Sequence, residues 1–178
     1  MIGTREIVTL SLLTICAYAI AQQRPNSSSV EPQTSSVVED NKFQLGKVRC
    51  RGVAATVICD VPITNTTSED YIVLAFVKQQ GGLRNTKYDK FGVSTLFDSQ
   101  GGEYLAASAS FGNRSTGSEG QGQFVVLADT KPTLSFRFEG VPGSIVMAKR
   151  VRLAIALKTG AGSESHEVVA KDVPIEGR

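Results

Sequence analysis

The chain has 178 residues, a length that suits one compact domain with flanking segments and excludes a large multidomain enzyme. Lys and Arg number 19 against 17 Asp and Glu, and a net charge of +2 gives neither a nucleic-acid footprint nor an acidic tail. With one His, no Trp and three Cys, the side chains that usually carry acid–base catalysis or bind metal are nearly absent.

The chain opens on Met1-Ile2-Gly3-Thr4-Arg5-Glu6, continues through the apolar stretch Ile7 to Ile15, and reaches the small-residue run Ala17-Tyr18-Ala19-Ile20-Ala21. This is the layout of a secretory signal peptide over residues 1–21, with the cut after Ala21, and it predicts a secreted or periplasmic protein. The apolar run is too short to span a bilayer, and no later window is long and uncharged enough, so no transmembrane segment is expected after cleavage. Leu13-Thr14-Ile15-Cys16 resembles a lipoprotein box, but Ile15 is bulkier than the small residue that signal requires. Cleavage removes Cys16 and leaves Cys50 and Cys59, which an oxidising compartment joins. They flank a turn near Gly52 to Ala55 and face each other across a hairpin; closing that short loop stabilises by roughly 2 to 3 kcal/mol in the chain-entropy model. The close Cys pairs of a zinc site and the Cys-x-x-Cys of a redox site are both missing.

Residues 22–41, QQRPNSSSVEPQTSSVVEDN, hold almost no large apolar side chains and read as a disordered tether ahead of a domain over 42–178. From Phe43 the pattern turns to short period-two runs broken by Gly, Asn, Asp and Pro. Strands are predicted over Phe43 to Arg51, Val53 to Val61, Tyr71 to Val77, Val93 to Asp98, Glu103 to Phe111, Gln123 to Ala128, Thr133 to Glu139, Val151 to Lys158 and Glu167 to Ile175. In the second of these, Val53, Ala55, Val57, Cys59 and Val61 share one apolar face; Leu134, Phe136 and Phe138 do the same later. Seven to nine short strands with regular turns predict an all-β fold, an antiparallel immunoglobulin-like β-sandwich.

The segments Ser94-Thr95-Leu96-Phe97-Asp98-Ser99-Gln100-Gly101-Gly102-Glu103-Tyr104 and Pro132-Thr133-Leu134-Ser135-Phe136-Arg137-Phe138, the latter leading to Val141-Pro142, carry a family likeness. Over roughly residues 43 to 175 the chain resembles the bacterial secreted immunoglobulin-like (telokin-like) domains of unknown function. The resemblance implies an extracytoplasmic fold with no established chemistry, attached to an envelope protein or a tether.

Few residues offer chemistry. His166, in Gly160-Ala161-Gly162-Ser163-Glu164-Ser165-His166, reads as a solvated loop residue without a nucleophile to activate. Asp98 and Glu103 are the carboxylates that could form a pair for glycoside cleavage, although Asp98 opens an Asp-x-x-Gly turn in which an Asx bond accounts for it. The glycines of 112–122 lack the Lys-Ser/Thr of a phosphate loop, and acidic residues are scattered singly, so neither catalytic residues nor a metal nor a cofactor is expected. Lys149, Arg150 and Arg152, with Arg137, could make a small basic strip, but without interleaved aromatics it does not point to nucleic acid. The long loops 79–90 and 112–123 are where binding residues concentrate, and Arg84, Tyr88 and Arg114 are their candidates. Asn26, Asn65 and Asn113 each head an Asn-x-Ser/Thr sequon. The terminal Ile175-Glu176-Gly177-Arg178 matches a protease recognition tetrapeptide with no native role assigned. The expected function is an exported accessory or binding module without catalysis, engaging a protein or envelope component. The alternatives are a structural subunit joined through a sheet edge, or a hydrolase built on an atypical carboxylate site.

Overall fold

A computed structural model of the chain describes residues 34–36, 43–79, 92–116, 120–159 and 162–178. Among the described residues there are twelve strands and no helix. They are β1 (Thr34–Ser36), β2 (Phe43–Leu45), β3 (Arg49–Val53), β4 (Thr56–Asn65), β5 (Tyr71–Phe76) and β6 (Thr95–Asp98). Then come β7 (Glu103–Phe111), β8 (Arg114–Ser115), β9 (Gln121–Val126), β10 (Thr133–Glu139), β11 (Met147–Thr159) and β12 (Gly162–Glu176). The expected leader and most of the expected tether lie outside the described residues, but Thr34–Ser36 within 22–41 pairs with β12 opposite Val168 to Ala170.

The expected sandwich gives way to a barrel. Seven strands close a ring in the order β12, β3, β4, β10, β7, β6, β11 and back to β12. A ring of seven cannot alternate direction all the way round, so one neighbouring pair must run parallel. Six of the contacts are antiparallel. The seventh, Ile175 and Glu176 of β12 beside Cys50 and Arg51 of β3, is parallel and closes the ring. Period-two patterning is the same in a sandwich strand and a barrel strand, because both bury one face and expose the other. The pairing of the first barrel strand with the last is what separates the two folds.

The lumen is packed, not hollow. Val57, Cys59 and Val61 of β4, Leu134, Phe136 and Phe138 of β10, Leu96 of β6, and Val151 and Leu153 of β11 are all fully buried. Phe136 stands opposite Ala109 and Phe138 opposite Ala106, so the two rings occupy the space that the alanines of β7 leave open. The alternation of β4 continues through Ile63 to Asn65, which is buried like the apolar residues before it.

Further strands attach to the ring. β5 pairs with the far half of β11, β9 pairs with β5, and β2 pairs with the end of β4. Phe43 of β2 meets Tyr71 of β5 edge to face, with ring centroids 4.7 Å apart. On the opposite side of the β5–β11 pair, Leu74, Phe76, Ala154 and Ala156 form a second, smaller buried cluster with Ile72.

The closing strand is held by Arg178, two residues beyond its end. The Arg178 guanidinium donates to the carbonyls of Pro142 at 2.7 Å, Ala54 at 2.8 Å and Thr56 at 3.1 Å. It also reaches those of Ile145 at 3.3 Å and Val141 at 3.4 Å. The side chain lies across Gly52, where a Cβ would occupy the same space. The tetrapeptide without a role in the sequence is thus part of the seam that shuts the barrel, with Ile175 buried in the core.

If the packed lumen is right, Phe136→Ala lowers unfolding free energy by about 3 to 5 kcal/mol. Overfilling the facing position with Ala109→Leu costs about 1 to 3 kcal/mol. Urea titrations of the two variants check both values; a cost below that of an ordinary surface change at Phe136 would mean the lumen is not filled as described.

Candidate functional site

Cys50 and Cys59 are directly opposed in the β3–β4 register and form a disulfide with Cα atoms 4.1 Å apart. The hairpin geometry expected from the sequence is therefore present, with the bridge buried in the core, its cysteines 2% and 0% exposed. Buried sulfurs out of reach of thiolates make this a structural crosslink.

The most elaborate polar site is the β6–β7 turn. Asp98 is buried, and its Oδ1 accepts the N–H groups of Gln100 and Gly102, both at 2.8 Å. Its Oδ2 accepts the Tyr104 hydroxyl at 2.9 Å. A Cβ on residue 102 would collide with the carboxylate and the phenol oxygen, so the turn requires Gly102. The Gly102 N–H bond, more than the other donors, holds the Asp98 carboxyl below its ordinary range against the opposing effect of burial. Burial and the neighbouring carboxylate push the Tyr104 phenol up.

Glu103 does not join Asp98. It pairs with Phe97, one residue before Asp98, so the two carboxylates sit on opposite faces of the sheet. The arrangement is a filled anion seat with each oxygen already accepting a bond from its own hairpin.

His166 is not in a loop. It lies within β12, opposite Ile155, and faces an apolar seam lined by Phe43, Leu45, Ile63, Ile155 and Leu157. The empty space there, about 210 Å³ including solvent-open volume, is nowhere wide enough for a water molecule. The ring is partly exposed, but its Nε2 is buried and unpaired. The walls around it are the hydrocarbon side chains of that seam.

The remaining candidates separate. Arg84, Tyr88 and Asn26 lie outside the described residues. Arg114 is exposed on β8 opposite Phe111, and the loop expected over 112–123 contains that short strand and the start of β9. The basic strip disperses as well: Arg137 pairs with Glu139 at 3.1 Å and Lys149 with Asp172 at 2.6 Å. Arg152 donates to the Val93 carbonyl at 3.2 Å, while Arg150 stands opposite Lys171. Among the described residues no three His, Cys, Asp or Glu side chains gather where they could hold a metal ion.

Asn65, which heads one of the three sequons, is a buried structural residue. It is 1% exposed, and its Nδ2 donates to the Glu69 carbonyl at 2.8 Å and reaches those of Leu127 and Val126 at 3.3 and 3.4 Å. Its Oδ1 accepts the Thr67 N–H and hydroxyl, both at 2.9 Å. Asn and Thr two residues apart are what this turn needs, so the Asn-x-Thr spacing is a structural motif and the amide is out of reach of a glycan. Asn113, by contrast, is exposed at the β7–β8 turn.

A scan against protein-family models and a search of curated proteins find no match to this chain. Among the described residues no helix is long and apolar enough to cross a membrane.

Two outcomes follow from the filled turn and the unpaired ring. Because folding lowers the Asp98 pKa, its contribution is present above the unfolded carboxylate value, near about 3.9, and is lost as pH falls through the folded value. Urea titrations at neutral pH and at acid pH should therefore show Asp98→Asn less stable at neutrality but with a smaller acid loss than wild type. An equal acid loss in both proteins would remove Asp98 as the source. His166→Phe, which replaces the unpaired nitrogen with hydrocarbon, should raise stability by about 1 kcal/mol; a lower melting temperature would contradict the unpaired assignment.

Proposed function

We propose that this chain is an exported accessory or binding module that works without catalysis, engaging a protein or envelope component through its surface. The observation that carries the reading is the occupancy of the Asp98 seat: both carboxylate oxygens already accept bonds from Gln100, Gly102 and Tyr104. A general acid or nucleophile needs a proton or lone pair directed at substrate, whereas three of the four acceptor positions of this carboxylate are taken up by its own hairpin. The buried Cys50–Cys59 bridge supports export, because such crosslinks form in oxidising compartments. The leader over residues 1–21 supports the same destination.

The test is a turnover panel of ester, glycoside and peptide substrates with the purified protein, run beside Asp98→Asn. No turnover above the buffer rate is expected from either protein. Turnover by the wild type that is lost in Asp98→Asn would replace the binding-module reading with the hydrolase alternative.

A further inference from the structure

β9 pairs with β5 along one edge in an unbroken antiparallel register, from Tyr71 opposite Val126 to Phe76 opposite Gln121. Its other edge meets no strand among the described residues, and with six residues it is the longest strand left open in this way. The bond from the Val77 N–H to the Gly120 carbonyl, 2.9 Å, sets the phase of the ladder. Residues exchanging bonds with β5 alternate from there, so they are Gly122, Phe124 and Val126. The N–H and C=O groups of Gln121, Gln123 and Val125 consequently point outward along the open edge. Gln123 and Val125 are both exposed, Val125 to 43%, and Leu127 just beyond is 54% exposed.

Strands that end a sheet in a monomer are normally blunted by charges, prolines, bulges or shortness. β1, β2 and β8 are blunted by length, having three, three and two residues. β9 has none of these protections. From Gly120 to Ala128 there is no charged residue and no proline, and its register with β5 has no bulge.

We propose that the open edge of β9 pairs with the same edge of a second copy of this chain, about a two-fold axis through Gln123. The three outward-facing residues are symmetric about that position. An antiparallel pairing centred there sets Gln123 opposite its own copy and Gln121 opposite Val125, and every outward N–H and C=O finds a partner. The same symmetry places the aliphatic stem of Gln121 against the exposed Val125 of the copy. No like charges meet, since the segment carries none. A single strand pair is a small interface, below the roughly 1,000 Å² of a stable complex, so the dimer depends on concentration. It does not rest on the non-catalytic reading, because an enzyme could associate through the same edge.

Analytical ultracentrifugation of the purified protein over a micromolar concentration series tests this, with Gln123→Pro and Val125→Lys alongside. Proline removes only an outward N–H, so pairing with β5 is retained. Wild type should show a monomer–dimer equilibrium, and both variants should sediment as monomers with an unchanged urea midpoint. Hydrogen exchange should show the amides of Gln121, Gln123 and Val125 gaining protection as wild-type concentration rises. If Gln123→Pro fails to fold, Val125→Lys and the exchange data decide the matter. A wild type that stays monomeric throughout, or a dimer that persists in the folded variants, overturns the proposal.

Discussion

The barrel depends on one short contact, the parallel pairing of Ile175 and Glu176 with Cys50 and Arg51. Without it the remaining strands form a curved open sheet with two exposed edges, and β3 and β12 each lose a neighbour. Two features reinforce the contact from either side. The Cys50–Cys59 bridge ties β3 to β4 next to the point of closure, and Arg178 gathers carbonyls from the β3–β4 turn and from the segment before β11. Covalent and hydrogen-bonded anchors are thus concentrated at the one place where odd strand number forbids the usual antiparallel ladder.

Among the described residues, several polar groups are committed to holding the fold itself. Asp98 orders the β6–β7 turn, and Asn65 ties the end of β4 to the segment after β9. Asp60 sits between Arg51 on one neighbouring strand and Ser135 on the other. Each satisfies donors or acceptors that would otherwise be stranded, and a half-satisfied buried group costs more than an apolar replacement. The His166 Nε2 is left unpaired in the seam between β2 and the far end of the β11–β12 hairpin, as are Gln121 Oε1, Arg152 Nε and Arg178 Nε elsewhere.

Much of the fold is legible in the sequence where the signal is local. The alternation of Val57, Cys59 and Val61, the matching run of Leu134, Phe136 and Phe138, and the opposition of Cys50 and Cys59 all follow from side chains two residues apart or across one tight turn. What failed is what no local pattern encodes. The expected sandwich and the observed barrel bury the same faces, and closure is decided by residues 50 and 175, at opposite ends of the domain. The small residues before His166 suggest a loop, whereas β12 begins at Gly162 and carries Ser163 and Ser165 as strand. Asn65 carried a detectable signal: it falls in phase with the buried positions of β4, and an Asn in a buried register requires bonding partners rather than a glycan.

The central claim is ring closure, and backbone nuclear Overhauser contacts between β3 and β12 measure it most directly. A closed barrel gives cross-peaks characteristic of a parallel pair between Ile175–Glu176 and Cys50–Arg51, together with the antiparallel set across Cys50 and Cys59. Strong antiparallel contacts within the β3–β4 hairpin and none from it to β12 would show an open sheet and contradict the barrel.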